Sequence, residues 1–439
     1  MLPRFHYRPR RNWINDPNGL CFAGGWYHLY YQYNPTGCRW GNIHWGHARS
    51  RDMLRWETLP PALAPDHNGG EEHCFSGCCC MDAQGQPHFF YTSIGAEEAG
   101  RGPRDGAEQW LALPDPDMNT LRRTACVLQA DAHPGFVPTD WRDPCVIPWQ
   151  DGFLMALGGA VDGCGCVLAY TSPDMADWTY RGVIARSDTA DGIPWECPNL
   201  FRLRDKTVLI FSPCAEPVYI VGDMDDHFRL QPIHQGVLDP GGHRGFYAPQ
   251  TFQDGQGRRI LMGWMPETCS DAETGAKGWS GVMSLPRQLI LAPDGDLRAI
   301  PLPEIASLME NQRGLMLPPG DHRLTDNGRS SILRVDIVLE DKPLVIDLPG
   351  GAHITLTPDH VLTLTGAGEP IRRTVPMTGT AAGMFLACDE GCVECMVCGA
   401  WLSARLNPAN DADASLSLHT PVFCEAVLCD SLAPVDQQF

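Results

Sequence analysis

Basic residues are in short supply. The chain of 439 residues carries 33 Lys and Arg against 53 Asp and Glu, a formal net charge of −20. Nucleic acid and anionic membrane surfaces both call for a basic footprint, so neither is an expected partner. Long apolar runs are missing as well. The most apolar region, residues 153–170, is broken by Asp162 and several glycines, so no membrane span is expected. No charged, apolar and cleavable segment stands ahead of Trp13, so no secretory signal is expected either. Charged residues make up only 20% and hydrophobic residues 43%, which describes an ordinary globular protein with a sizeable core. What is not scarce is cysteine. Nineteen cysteines, an odd number, without a signal segment predict free thiols and a cytoplasmic location.

Gly and Pro are abundant, at 45 and 38 residues, which favours many turns and many short strands. Residues 26–33, 207–211 and 259–264 are β-rich runs between Gly, Pro and Asp clusters. A faint repeat runs through the first two thirds. Ser50-Arg-Asp-Met-Leu-Arg-Trp56 and Ser172-Pro-Asp-Met-Ala-Asp-Trp178 share one pattern; residues 115–121 hold a degraded copy, and Gly222-Asp-Met224 begins another. Each follows a strand-like stretch. A spacing of roughly 50–65 residues suits one four-stranded propeller blade, and about 300 residues then make about five blades. Residues 303–310 carry Ile305, Leu308 and Met309 on one helical face and predict a linking helix. Beyond it, residues 332–339, 353–357, 361–365, 393–397 and 416–419 alternate as strands of a small β-sandwich would. The expected fold is all-β: a five-bladed β-propeller over residues 1–300, a linker helix over 301–313 and a β-sandwich over 314–439.

Three segments carry the chemistry. Trp13-Ile-Asn-Asp-Pro-Asn-Gly19, Trp141-Arg-Asp-Pro144 and Trp195-Glu-Cys-Pro198 each hold one carboxylate beside an aromatic residue and a proline. Asp16, Asp143 and Glu196 are 127 and then 53 residues apart, so only a large fold can bring them together. Read as turns, the Asp-Pro-Asn-Gly stretch and its counterparts hold an acid rigidly. Paired carboxylates are the working parts of glycoside hydrolysis, one as nucleophile or base and one as acid.

These segments resemble the signatures of glycoside hydrolase family 32, the β-fructofuranosidases. Residues 31–35, 40–48, 74–77, 246–250, 263–265 and 285–288 resemble further blocks of that family in the expected order. The likeness is strong over residues 4–305 and weak beyond. It implies a five-bladed propeller with a small sandwich, and a retaining hydrolase that releases fructose from sucrose, sucrose 6-phosphate or short fructo-oligosaccharides. It also implies roles: Asp16 as nucleophile, Glu196 as acid/base, and Asp143 holding ring hydroxyls and stabilising the cationic transition state. Arg142 would hold the ring or keep Asp143 ionised. Cys197, which matches the family, is placed to tune Glu196. Asn15, Gln32, Trp40, Phe75, Ser76 and Trp264 should line the fructose pocket, with Tyr247 beside the acids.

Blander roles compete at each position. Asp16 could cap an Asx turn, Glu196 could be a surface acid, and Arg142 with Asp143 a structural pair. Phe75 and Trp264 could be core, and Tyr247 a satisfied strand tyrosine. Cys388, Cys392, Cys395 and Cys398 suggest a thiolate metal site, but on a strand they face opposite sides, and no metal or cofactor is expected. The chain departs from the family at Trp141, where Phe is usual, at Gly245, where Asp usually precedes Phe-Tyr-Ala, and in a short C-terminal domain. Gly245 puts the leaving-group preference in doubt, and His243 and Arg244 are candidate phosphate contacts. A transfructosylase on the same scaffold, or an inactive fructoside-binding protein, remains an alternative. Oligomeric state is left open, a homodimer included.

Overall fold

The computed structural model describes residues 2–95, 107–129, 133, 136, 138–309, 311–366, 368–407, 413–430 and 432. Among the described residues the chain is nearly all β. Residues 12–301 form five consecutive antiparallel sheets, each built in chain order from an edge strand outward. Those edge strands are Asn12–Ala23, Glu71–Met81, Thr139–Trp149, Glu196–Leu203 and Tyr247–Gln253. Each lies beside the edge strands of the sheets before and after it, and the fifth lies beside the first. Late in the chain, Trp279–Ser280 returns to pair in parallel with Asn12 and Trp13 and so ties the last sheet to the first.

Apolar residues fill the gaps between neighbouring sheets. Tyr30 and Trp45 meet Phe89 and Tyr91 between the first and second sheets. Phe90 meets Trp141, Met155 and Leu168 between the second and third. Leu154 and Val167 meet Leu200 and Phe211 between the third and fourth. Phe201 and Val208 meet Leu261 and Leu289 between the fourth and fifth, and Leu29 and Tyr31 meet Ile260 and Met262 between the first and fifth. Trp141 is thus core, and its indole N–H donates to the Tyr170 hydroxyl at 3.0 Å.

The repeat seen in the sequence is the connection from third to fourth strand of successive sheets. Asp52 and Asp174 each take a serine hydroxyl and two backbone N–H groups, while Met53 and Met175 adopt positive φ at the turn. Asp115 caps the corresponding turn of the second sheet, with Met118 at positive φ. In the fourth sheet, Gly222-Asp-Met224 closes the third strand and Asp225 caps the turn that follows.

Residues 303–308 form a 3₁₀ helix rather than the expected α-helix. Pro303 starts it, and it buries Ile305, Leu308 and Met309 as anticipated. The α-helix that does form, Asp271–Lys277, was not foreseen. Its seven residues are too short for a periodic signal, and a capping box between Ser270 and Glu273 holds it. Beyond residue 312 two six-stranded sheets face each other across one core that includes Leu333, Leu386, Ile346 and Leu364. Cys388 and Cys395 point into that core, while Cys392 packs on the other side against Met265 and Trp279. The cysteine run is therefore divided between the two faces, as strand alternation requires.

A fully buried polar junction joins the two parts. Asp389 takes the backbone N–H groups of Phe5 and His6, and the His6 ring bridges Asp389 and Glu394 at 3.0 and 2.9 Å. Arg287 reaches Glu394 and Asp239, and Ser403 closes the set on Asp239.

Candidate active site

Each carboxylate sits where an edge strand is interrupted. The strand register shifts between Ile14 and Pro17, Cys74 and Gly77, and Glu196 and Asn199, and again between Tyr247 and Gln250. The third edge strand shifts beside Asp143. These are β-bulges, which re-aim side chains and are common beside active sites. The prolines of the motifs fit here, because a bulge leaves a residue out of the ladder and Pro has no N–H to lose. Asp143, Cys197 and Ala248 each precede a proline, and each has positive φ, at 64°, 49° and 44°. The motifs are therefore kinks inside strands, not the turns that Asp-Pro-Asn-Gly suggested. The first edge strand continues through them to Ala23.

All five kinks face one cavity of about 360 Å³. Its wall contains the three acids and all eight substrate-binding residues foreseen from the sequence: Asn15, Asp16, Gln32, Trp40, Phe75, Ser76, Arg142, Asp143, Glu196, Tyr247 and Trp264. One further residue lines it, Trp13. The Trp13 indole N–H donates to Asn15 Oδ1 at 2.7 Å and its ring meets Trp264 edge-on at 5.6 Å. A larger hollow of about 560 Å³ lies where the fourth and fifth sheets meet the sandwich, but the three acids converge in the smaller one.

Asp16 is held at both oxygens. Ser76 Oγ donates to Oδ2 at 2.6 Å, and Asn15 Nδ2 donates to Oδ1 at 3.1 Å. Burial raises its pKa; the Ser76 and Asn15 bonds pull the other way, and the charge of Glu196 adds to the rise. Asp143 accepts the Cys197 backbone N–H on Oδ2 at 2.9 Å, and its own N–H donates to Thr92 Oγ1. Burial pushes its pKa up to about 7; Arg142 opposes this, while Glu196 and Asp16 reinforce it. Glu196 accepts from Arg142 Nη2 on one oxygen and from the Tyr247 hydroxyl on the other. Arg142 also reaches Asp140 at 3.1 Å and approaches Asp143 at 3.9 Å. Burial works against its charge, yet Asp143 and Glu196 more than offset that and its pKa rises.

Cys197 occupies a different place from the one expected. Its thiol lies 3.5 Å from Asp16 Oδ2 and 3.5 Å from Asp143 Oδ2, so it bridges those two acids rather than serving Glu196. Burial, and then the surrounding carboxylates, raise its pKa well above the usual thiol value. The sulfur therefore keeps its proton and acts as a donor.

Aromatic rings form the rim. Trp40 is 52% exposed and meets the Phe75 ring edge-on. His243 stacks on Tyr247 with ring centres 3.9 Å apart. Arg244 turns away, and its guanidinium donates to the Glu369 carbonyl. Gly245 is packed against the sandwich: a Cβ there would stand 2.1 Å from the Ser403 carbonyl oxygen. An Asp at this position would collide with the Ser403 backbone unless the sandwich shifts.

Residues 6–301 match the family model described as the glycosyl hydrolases family 32 N-terminal domain. A rice (Oryza sativa subsp. japonica) protein named β-fructofuranosidase, insoluble isoenzyme 1, is 33% identical over 72% of this chain and 59% of its own length. The Escherichia coli sucrose-6-phosphate hydrolase is 33% identical over 71% of this chain and 67% of its own length. The chain therefore spans about three fifths of the rice relative. Fructan 1-exohydrolase IIa of Cichorium intybus, solved with 1-kestose, superposes with a TM-score of 0.85 at 21% identity, covering 98% of this chain and 97% of that one. The Bombyx mori GH32 β-fructofuranosidase, solved with sucrose, gives 0.83 at 26% identity, covering 99% and 94%. The signature residues, the sheets that carry them and these likenesses agree: this chain belongs to glycoside hydrolase family 32.

Proposed function

We propose that the protein is a retaining β-fructofuranosidase acting by double displacement. One observation carries the reading: Asp16, Asp143 and Glu196 meet in one cavity, with the Cys197 thiol between the first two. Asp16 attacks the anomeric carbon of the fructosyl ring. The Ser76 and Asn15 bonds hold its carboxylate at a fixed angle and favour its charged form. Glu196 protonates the leaving oxygen, and Arg142 and Tyr247 fix its orientation. Asp143 Oδ2 is committed to Cys197, and its other oxygen takes ring hydroxyls and faces the oxocarbenium charge. Water activated by Glu196 then releases fructose from the ester on Asp16. The displacement as drawn uses neither metal nor cofactor.

The substrate class follows from family and cavity: a small fructoside such as sucrose, sucrose 6-phosphate or a short fructo-oligosaccharide. The solved neighbours hold sucrose and 1-kestose. Of the two candidate phosphate contacts only His243 stands at the mouth, because Arg244 is engaged elsewhere. We also infer that the five sheets are the five blades of a closed propeller over residues 1–300. Residues 301–313 then form the linker and 314–439 the sandwich. Nineteen unpaired cysteines support a reducing, cytoplasmic location.

Initial rates on sucrose test the assignment. Asp16→Ala and Glu196→Ala should each lower kcat by roughly 10³-fold or more, the scale of losing a covalent nucleophile or a general acid. The first fructose anomer seen by NMR should retain the β configuration. Near-normal rates in either variant, or an inverted first product, would refute the mechanism.

A further inference from the structure

Two loops meet beside Glu196, and the displacement calls on neither of them. Residues 213–217 follow the second strand of the fourth sheet, Lys206–Ser212, and residues 239–246 lead into the edge strand of the fifth. They touch each other: a Cβ on Gly242 would stand 3.5 Å from the Glu216 backbone nitrogen. The second loop is firmly held. Arg244, Gly245 and Phe246 donate backbone N–H groups back to Gly241 and Gly242, and Arg405 of the sandwich donates its own N–H to the Arg244 carbonyl at 2.6 Å.

Each loop presents one side chain. Strand pairing places Cys214: Glu196 and Ser212 are register partners, and two residues further out the Cys214 thiol lies 4.0 Å from the Pro194 carbonyl oxygen. Its neighbours there are the Glu196 carboxylate, the Tyr247 hydroxyl and the Arg142 guanidinium. Cysteine is usually a buried residue type, and the other cysteines of this chain are buried or half-buried; Cys214 alone is exposed. Partial burial and then the charge of Glu196 raise its pKa, so the thiol stays a neutral hydrogen-bonding group. From the second loop, the exposed His243 ring lies on Tyr247 with centres 3.9 Å apart and planes 29° apart. Arg244 turns away to Glu369 and Gly245 has no side chain, so His243 is what this loop offers to the mouth.

The direction of the substrate follows from Glu196. An acid that protonates the leaving oxygen must stand within hydrogen-bond reach of it. The fructosyl ring lies toward Asp16 and Asp143, which share the Cys197 thiol. Asp143 is buried and Asp16 half-buried, whereas Cys214 and His243 are exposed just outside the cavity wall, next to two residues that line it. We propose that Cys214 and His243 form the contact surface for the leaving sugar and set which leaving group the protein accepts. The thiol meets a sugar hydroxyl, and the outer face of the imidazole packs on the C–H surface of the ring.

This inference rests on the fructosidase reading, and two substrates keep the two apart. Sucrose carries a leaving sugar; β-fructofuranosyl fluoride carries the same fructosyl group and no leaving sugar. Cys214→Ala and His243→Ala should each lower kcat/KM on sucrose by about threefold to tenfold, the scale of one lost neutral contact, and leave kcat/KM on the fluoride unchanged. Cys214→Ser, which keeps a hydroxyl in place of the thiol, should restore most of the sucrose rate. Circular dichroism melts confirm that the variants fold. A parent protein that turns over neither substrate would end both readings. A parent active on both, with variants unchanged on sucrose or weakened equally on sucrose and fluoride, would overturn this inference alone.

Discussion

Asp143 shows how gathering three acids in one cavity costs stability. Its pKa rises from the usual carboxylate value near 4 to about 7, mainly because it is buried, with two further acids close by. A carboxyl whose folded pKa is raised contributes most below its unfolded pKa. That contribution falls away as pH climbs from about 4 and is gone above about 7. Asp143→Asn removes the effect, so the variant should be more stable than the parent at pH 8, by on the order of 4 kcal/mol, and should lose that advantage toward pH 4. Urea melts across this range check it; an advantage that grows toward low pH would contradict the assignment. Turnover should fall sharply in the same variant. All eleven predicted site residues line the cavity, because each stands in a short signature that fixes both residue and local backbone. Trp13 was passed over although it opens the first signature; its role depends on Trp264, which is remote in sequence. The contacts of the Cys197 thiol with Asp16 and Asp143 were not foreseen. Adjacency to Glu196 along the chain says nothing of where a kinked strand sends the next side chain.

At the scale of elements, the site is a set of bulged edge strands. Asp143-Pro144, Cys197-Pro198 and Tyr247-Ala-Pro249 were legible as special backbone, but not as bulges, since proline and tight geometry suit turns equally well in sequence. Gly77 marks the bulge of the second edge strand, and a Cβ there would stand 1.9 Å from the Phe90 carbonyl oxygen. Gly77→Ala should therefore destabilise by about 1–3 kcal/mol, the scale of overpacking. It should also disturb turnover through Ser76, its neighbour on Asp16. Gly245→Asp should carry a similar cost, because its neighbour is the Ser403 backbone and not a movable side chain. A well-folded Gly245→Asp protein with unchanged melting temperature would show that this contact relaxes easily. The strands of both parts were readable from alternation and β-rich composition, whereas the helical pattern after Pro303 tightened into a 3₁₀ turn.

At the scale of the whole molecule, the two parts are joined by one buried network of charges that spans both. Arg287 and His6 come from the propeller side, Glu394 and Asp389 from the sandwich, and all four are buried. Removing one partner of such a set leaves an uncompensated charge. Glu394→Ala should destabilise by roughly 3–5 kcal/mol. A fragment ending at residue 313 should not fold cooperatively, and a circular dichroism melt of that fragment would show no sharp transition. None of this junction was visible in sequence, where His6 and Arg287 lie far from each other and from the Asp389–Glu394 stretch. The most direct test of the central claim is to quench Glu196→Ala in acid after incubation with β-fructofuranosyl fluoride, then map its peptides by mass spectrometry. That substrate needs no acid to leave, and the missing base stalls the second step. One fructosyl unit on the peptide carrying Asp16 is the predicted result; an adduct on a different carboxylate, or turnover of the fluoride with no adduct at all, would contradict the account.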